Sequence, residues 1–372
     1  ARVADGKIQM AGGNYRVVVV PQCERMPEQT LGNLLALAKA GATVIFERQL
    51  PKDIPGLGNL EHRQAQLKQL FAEARELAQS TSQDGHLLVN KLGAALKIAG
   101  APREALFDQP GLMCIRRAVE DGRFYFLANR GDKAFEGWLP IANAARSVVI
   151  MSPANGETGL ARSRAVSANA SEVYLQLAPG ESTILRVFPE RKVRGRAWQY
   201  WKPQDPAVSL NGRWQVRFLQ GGPELPAPFS TETLASWTTL GDTNAQRFAG
   251  TALYSLKFDA PETKAKSFRL DLGNVCQSAR VRLNGKEFGT LITPPFRVAI
   301  DKLKSRDNLL EVEVTNVSAN RIRDLDRRGV NWKIFRDINV VNIDYKPFDA
   351  SDWPLTDSGL LGPVTLTPGG PE

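Results

Sequence analysis

The sequence predicts two fold classes in succession, an α/β domain first and all-β domains after it. Three observations carry this reading. Between Tyr15 and Leu106, short apolar runs alternate with helical periodicities. After Phe107 the apolar period changes to two. Between Phe248 and Asn316, short strand patterns follow one another at regular spacing, with Asn284-Gly285 as the sharpest turn.

The first element is Val17–Val20, a continuous β-branched run of the kind found in strands buried on both faces. A helix is expected from Pro27 to Ala40, with Leu31, Leu34, Leu35 and Ala38 at helical spacing and Gly41 as the residue that ends it. Thr43–Phe46 is the next strand, and Arg63–Ala78 is an amphipathic helix carrying Leu67, Leu70, Phe71, Ala74 and Leu77 on one face. Strand, helix, strand, helix suggests an open α/β sheet of flavodoxin-like type over residues 1–106. Such sheets often bind nucleotides at their strand ends. Here the first strand-to-helix loop, Pro21-Gln22-Cys23-Glu24-Arg25-Met26-Pro27, holds no glycine and cannot cradle a phosphate with backbone amides. A structural or oligomerising role fits this domain better.

Residues 107–195 read as a small β-sandwich, with strands at Leu112–Val119, Arg123–Asn129, Ala145–Met151, Glu172–Leu177 and Thr183–Phe188. A strand–turn–strand is expected within 152–171, its tip near Asn155-Gly156. The run from Arg186 to Lys202 is the densest basic stretch, with Arg191, Lys192, Arg194 and Arg196 beside Trp198, Tyr200 and Trp201. Basic residues interleaved with aromatics can bind single-stranded nucleic acid. No nucleic-acid motif accompanies them, and the run falls where an interdomain linker (196–207) belongs, so a solvated linker is expected, with an acidic polysaccharide as the next candidate partner. The net charge of +9 would likewise steer a polyanionic, pectin-like substrate.

Residues 208–372 form the last domain. Asn284-Gly285 lies between Val281-Arg282-Leu283 and Lys286-Glu287-Phe288, and both turn residues must accept positive φ. Strands follow at Phe296–Ile300 and Leu309–Thr315, where Leu310, Val312 and Val314 share one face and Leu309, Glu311, Glu313 and Thr315 the other. With Ala252–Phe258 ahead of them, these pieces stand in the order of an aromatic strand, a VxLNGxxxG hairpin, a PF strand and an NxLxVxVxN strand. The segment thereby resembles the galactose-binding-like, sugar-binding jelly roll of family 2 glycoside hydrolases.

The closing stretch Ser358-Gly359-Leu360-Leu361-Gly362-Pro363-Val364 resembles the last strand of family 106 glycoside hydrolases, the bacterial α-L-rhamnosidases. Gly111-Leu112-Met113-Cys114-Ile115-Arg116-Arg117, Asp121 to Asn129, and Tyr15 to Pro21 with Ala40 to Val44 resemble the same family. Where that family usually shows His-Arg, this chain has Arg116-Arg117. The resemblance covers the part that follows the catalytic barrel. It implies an accessory portion of an enzyme that hydrolyses terminal rhamnosides of plant polysaccharides or glycosides, in the bacterial periplasm or outside the cell. Its partners would be a rhamnose-containing glycan and the barrel of the same polypeptide. The alternatives are a non-catalytic carbohydrate-binding module set, or a structural or oligomerisation protein.

At 372 residues with 42% hydrophobic residues, two or three compact domains are expected. No apolar run is long enough to span a membrane, and Ala1 to Gly6 carries no signal-peptide pattern, as in a piece of a longer polypeptide. Cys23, Cys114 and Cys276 are widely spaced and without CxxC, so three buried thiols are expected and no disulfide framework or zinc site. The two histidines, His62 and His86, suggest no catalytic triad. Glycosidases need two carboxylates facing each other across the bond, and nothing in the sequence pairs any of the 39 acidic residues. No catalytic residue and no cofactor are therefore assigned to this chain.

The candidate contact region is the insertion 316–358, rich in aromatic, acidic and basic side chains. Arg321, Asp324, Asn331, Trp332, Asp352 and Trp353 are its lead residues, with Arg336, Asp337, Asn339 and Asp344 beside them. Sugars are held by an aromatic face against the ring C–H groups and by Asp, Asn and Arg at the hydroxyls. The same composition also suits a charged loop that docks on the barrel with Trp332 and Trp353 as anchors. Asp324 and Asp326 form a D-x-D pair compatible with calcium in a full-length parent, a weak signal without further oxygen ligands.

Overall fold

The computed structural model describes residues 2–79, 86–101, 103–334, 343 and 345–372. The chain divides into two compact units. One holds Ala1–Ala105 with Pro140–Ala142; the other holds Leu106–Leu139 and Asn143–Glu372.

The first unit contains a parallel sheet of Val17–Val20, Thr43–Glu47 and His86–Asn90, with Thr43–Glu47 in the middle. The helices Glu28–Lys39 and Leu60–Gln79 cross over between the strands and pack on each other. That placement follows when successive right-handed crossovers step in the same direction. A flavodoxin-like order would put the first strand between the second and third. Here the strand order never reverses, so the sheet has no switch-point crevice for a nucleotide. Val17–Val20 is accordingly an edge strand with Val19 half-exposed, and is not buried on both faces as its composition suggested. The core lies under the helices, where Leu31, Leu35, Val44, Phe46, Leu67 and Ala74 interlock. The first strand-to-helix loop is occupied by protein: Met26 N–H donates to Asp53 O and Lys52 N–H to Glu24 O. An antiparallel meander, Arg2–Ala4, Lys7–Met10 and Gly13–Tyr15, precedes this sheet. It was not expected, although Asp5-Gly6 adopts positive φ at both residues, as a two-residue hairpin requires.

The second unit begins with a sandwich. One sheet has the order Thr158–Leu160, Ser147–Met151, Ser182–Phe188, Gly122–Asn129, Leu112–Val119. The other is formed by Ser163–Ser167, Ala170–Leu177 and Phe135–Ile141, the last a strand absent from the sequence reading. Tyr125, Leu127, Val148, Ile150, Val173, Leu175, Leu185 and Val187 fill the core. Segment 196–207, expected as a solvated linker, is built into its neighbours. Trp198 N–H donates to Leu160 O, Tyr200 is buried with its hydroxyl on Tyr174 O, and Trp201–Pro203 pairs with the final strand Thr365–Pro371. Arg186, counted with the basic run, is buried in its strand between Phe124 and Phe188 and paired to Asp121.

The remainder is a second pair of sheets. Phe229–Thr231, Trp214–Gly222, Ala249–Phe258, Asn308–Thr315, Ser278–Leu283 and Lys286–Leu291 form one, in that order. Trp201–Pro203, Thr365–Pro371, Ser267–Asp271 and Arg297–Ile300 form the other, with Val208–Ser209 also on Thr365–Pro371. Leu310, Val312 and Val314 are fully buried, as their alternation requires, against Trp214, Tyr254, Leu270 and Ile300. Asn284 and Gly285 take φ of 51° and 81° at the hairpin. The three cysteines are half-buried and outside any disulfide, less enclosed than expected.

Candidate functional site

The insertion leaves the sheet after Thr315 and returns at Gly359. Its two ends are tied by a polar network. Asn316 accepts the Gly250 N–H at 2.9 Å and donates to Phe248 O at 2.9 Å and Ser358 Oγ at 3.0 Å. Buried Asn320 donates to Thr356 O at 2.7 Å and accepts the Thr356 N–H at 2.8 Å. Ser358 N–H donates to Ser236 Oγ at 3.0 Å. Short polar side chains of this kind can satisfy the backbone where no sheet ladder does.

Between these ends the chain first forms the helix Ala319–Arg327. On it Asp324 accepts Arg321 Nη1 at 2.8 Å and faces Arg328 Nη1 at 3.6 Å, the spacing at which helical side chains are neighbours. Asp326, two positions on, points elsewhere, because residues i and i+2 do not share a helix face. Its Oδ1 accepts Trp332 Nε1 at 2.7 Å and faces Lys333 Nζ at 3.1 Å, and its Oδ2 accepts the Ala350 N–H at 2.8 Å. Burial works to raise the pKa of this carboxyl, and the Ala350, Trp332 and Lys333 donors together outweigh it, holding the group below the usual aspartate value. The D-x-D pair therefore diverges, each carboxylate engaged by protein donors. Among the described residues no group of three or more His, Cys, Asp or Glu side chains is placed to hold a metal.

Lys333 bridges the insertion: its ammonium donates to Phe348 O at 2.7 Å and lies 5.4 Å from the Phe348 ring centroid. Phe348 joins the two tryptophans edge to face, at 6.2 Å from Trp332 and 5.6 Å from Trp353. Arg323 Nε holds the Trp353 carbonyl at 2.6 Å. Of the six lead residues, Trp332 and Trp353 are thus brought into one cluster and Arg321 and Asp324 into one ion pair, while Asn331 and Asp352 lie exposed. Arg336, Asp337, Asn339 and Asp344 lie outside the described residues. Trp353 keeps 39% of its surface exposed, and Val330, Ile334, Ile343, Tyr345 and Leu355 are also exposed.

No family model matches the chain. Its structure superposes on a rhamnosidase from Novosphingobium sp. PP1Y with a TM-score of 0.67 and 24% identity, over 98% of this chain and 34% of that one. The chain shares the fold of about a third of that rhamnosidase. In sequence, the chain is 33% identical over 186 residues to the protein named "Putative beta-glucuronidase" of Formosa agariphila, covering 43% of this chain and 15% of that protein. The chain therefore spans about a third of the solved enzyme's length and a smaller share of the curated relative's.

Sequence reasoning missed Asn316, Asn320, Lys333, Phe348 and Ser358 as the residues that organise the insertion. The spacing of Arg321, Asp324 and Arg328 was the legible sign that its first part is a helix.

Proposed function

We propose that this chain is an accessory portion of an α-L-rhamnosidase-like glycoside hydrolase of family 106, with the catalytic barrel in a part of the polypeptide outside these residues. The substrate class is a terminal rhamnoside of a plant polysaccharide or glycoside, and the place of action is the bacterial periplasm or the outside of the cell. The observation that carries the reading is the superposition on a rhamnosidase over nearly the whole chain, which spans only a third of that enzyme. Insertion 316–358 then serves to dock on the barrel. What supports this is the exposure of Val330, Ile334, Ile343, Tyr345, Trp353 and Leu355 within one short stretch, together with the commitment of Asp324 and Asp326 to protein donors rather than to an open site.

The test is hydrolysis of an aryl α-L-rhamnoside by this chain and by a longer polypeptide that carries the barrel. No turnover is expected from the chain and turnover from the longer protein. Hydrolysis by the chain alone, lost on substitution of one of its own Asp or Glu residues, would overturn the accessory reading.

A further inference from the structure

We propose that the open face of the six-stranded sheet carries a binding groove for a uronate-bearing oligosaccharide, separate from the insertion. The proposal rests on the glycan reading above. Register sets two cross-strand rows on this face. Gln215, Ser255, Glu311, Arg282 and Glu287 form one; Arg217, Leu253, Glu313, Arg280 and Thr290 form the next. Their sequence neighbours Val216, Tyr254, Val312 and Val281 point into the core, so the outward direction of both rows is fixed by the pleat.

An open depression of about 540 Å³ lies over the end of these rows, lined by Gln215, Arg217, Phe229, Leu253, Ser255 and Glu311. The lining combines what a sugar ring needs. Leu253 offers apolar surface to ring C–H groups, and Gln215, Ser255 and Glu311 offer hydroxyl partners, while Phe229, opposite Val216 in register, packs toward the core. Glu311 meets Arg282 Nη1 only at 3.8 Å, which leaves its oxygens able to accept from a ligand.

Charge selects the kind of sugar. Arg280 and Arg282 are paired with Glu313, Glu287 and Glu311. Arg217 is exposed and, among the described residues, has no carboxylate within ion-pairing distance. A guanidinium is a two-pronged partner for a carboxylate, which a uronic acid supplies and a neutral hexose does not.

The experiment is calorimetric titration of the chain with trigalacturonate and with its carboxyl-reduced neutral counterpart, with hydrogen exchange to locate the contact. Saturable binding of trigalacturonate is expected, with protection in the strands Trp214–Gly222 and Ala249–Phe258. The neutral sugar should bind about tenfold more weakly or worse. Arg217→Gln should weaken trigalacturonate by about tenfold and leave the neutral sugar unchanged, and Arg217→Lys should recover part of the loss. Arg217 is exposed, so a thermal melt of each variant should match the parent. No saturable binding at millimolar trigalacturonate, equal binding of both sugars, or indifference to Arg217→Gln would overturn the groove. Binding that is abolished by Trp353→Ala and indifferent to Arg217→Gln overturns the groove while keeping the glycan reading. Failure of the longer polypeptide to hydrolyse a rhamnoside would remove the rhamnosidase reading and leave this result standing.

Discussion

Asp326 sets the insertion's conformation through one carboxylate and three donors, two of them side chains and one a backbone amide. Removing it takes the shared acceptor from Lys333, the Trp332 indole N–H and the Ala350 amide, so Asp326→Ala should destabilise the second unit by about 2–3 kcal/mol, read from denaturant unfolding. The pH dependence has a definite sign. The folded carboxyl titrates below its unfolded value, so its contribution is present above about pH 4, the ordinary aspartate range, and fades as pH falls through the lower folded pKa. Tryptophan fluorescence should report that change in the parent and not in Asp326→Asn. Two glycines give a second residue-level test. Gly285 has positive φ with open space around it, so Gly285→Ala should cost about 1 kcal/mol. Gly359 has φ of +105°, and a Cβ there would meet the Tyr254 hydroxyl and the Trp237 ring. Gly359→Ala should cost about 3 kcal/mol or more, because buried aromatics must move. Equal melting temperatures for the two variants would contradict this account.

At the scale of elements, the insertion is a helix and a return segment clamped by Asn316, Asn320 and Ser358. Trp353 packs on Phe348 yet stays half-exposed. Trp353→Ala should therefore cost only about 1 kcal/mol in this chain, and about 2 kcal/mol or more in a longer polypeptide where a docked barrel covers the ring. Equal losses in both would argue against docking. The strands were legible because apolar alternation and the Asn284-Gly285 turn are local signals. The short strand Phe135–Ile141 was not: only Phe135, Leu139 and Ile141 mark it, and Pro140 argues against it. The hairpin at Asp5-Gly6 is a local signal of the same kind, an Asp-Gly pair between the strands Arg2–Ala4 and Lys7–Met10.

At the scale of the whole molecule, a net charge of +9 should speed encounters with an acidic polysaccharide. The association rate with oligogalacturonate should fall about tenfold or more between low and high salt, measured by stopped flow, while the rate for a neutral oligosaccharide stays flat. A salt-independent rate for the acidic sugar would remove the steering argument. Of the basic run at 186–202, Arg186 is buried, while Arg191, Lys192, Arg194 and Arg196 stay exposed and present their charge to solvent.

The sequence by itself determined the order of α/β and β patterns, the core faces of strands such as Asn308–Thr315, and the left-handed turn at Asn284-Gly285. These follow from periodicity and backbone sterics within a few residues. Only the tertiary structure decided the strand order of the parallel sheet, the capture of 196–207 by strands far away in sequence, and the divergence of Asp324 from Asp326. It also decided which outward residues share the groove: Gln215, Ser255 and Glu311 come from three strands and are neighbours only through register. Pairing between distant segments depends on how whole faces bury together, and no local pattern encodes that.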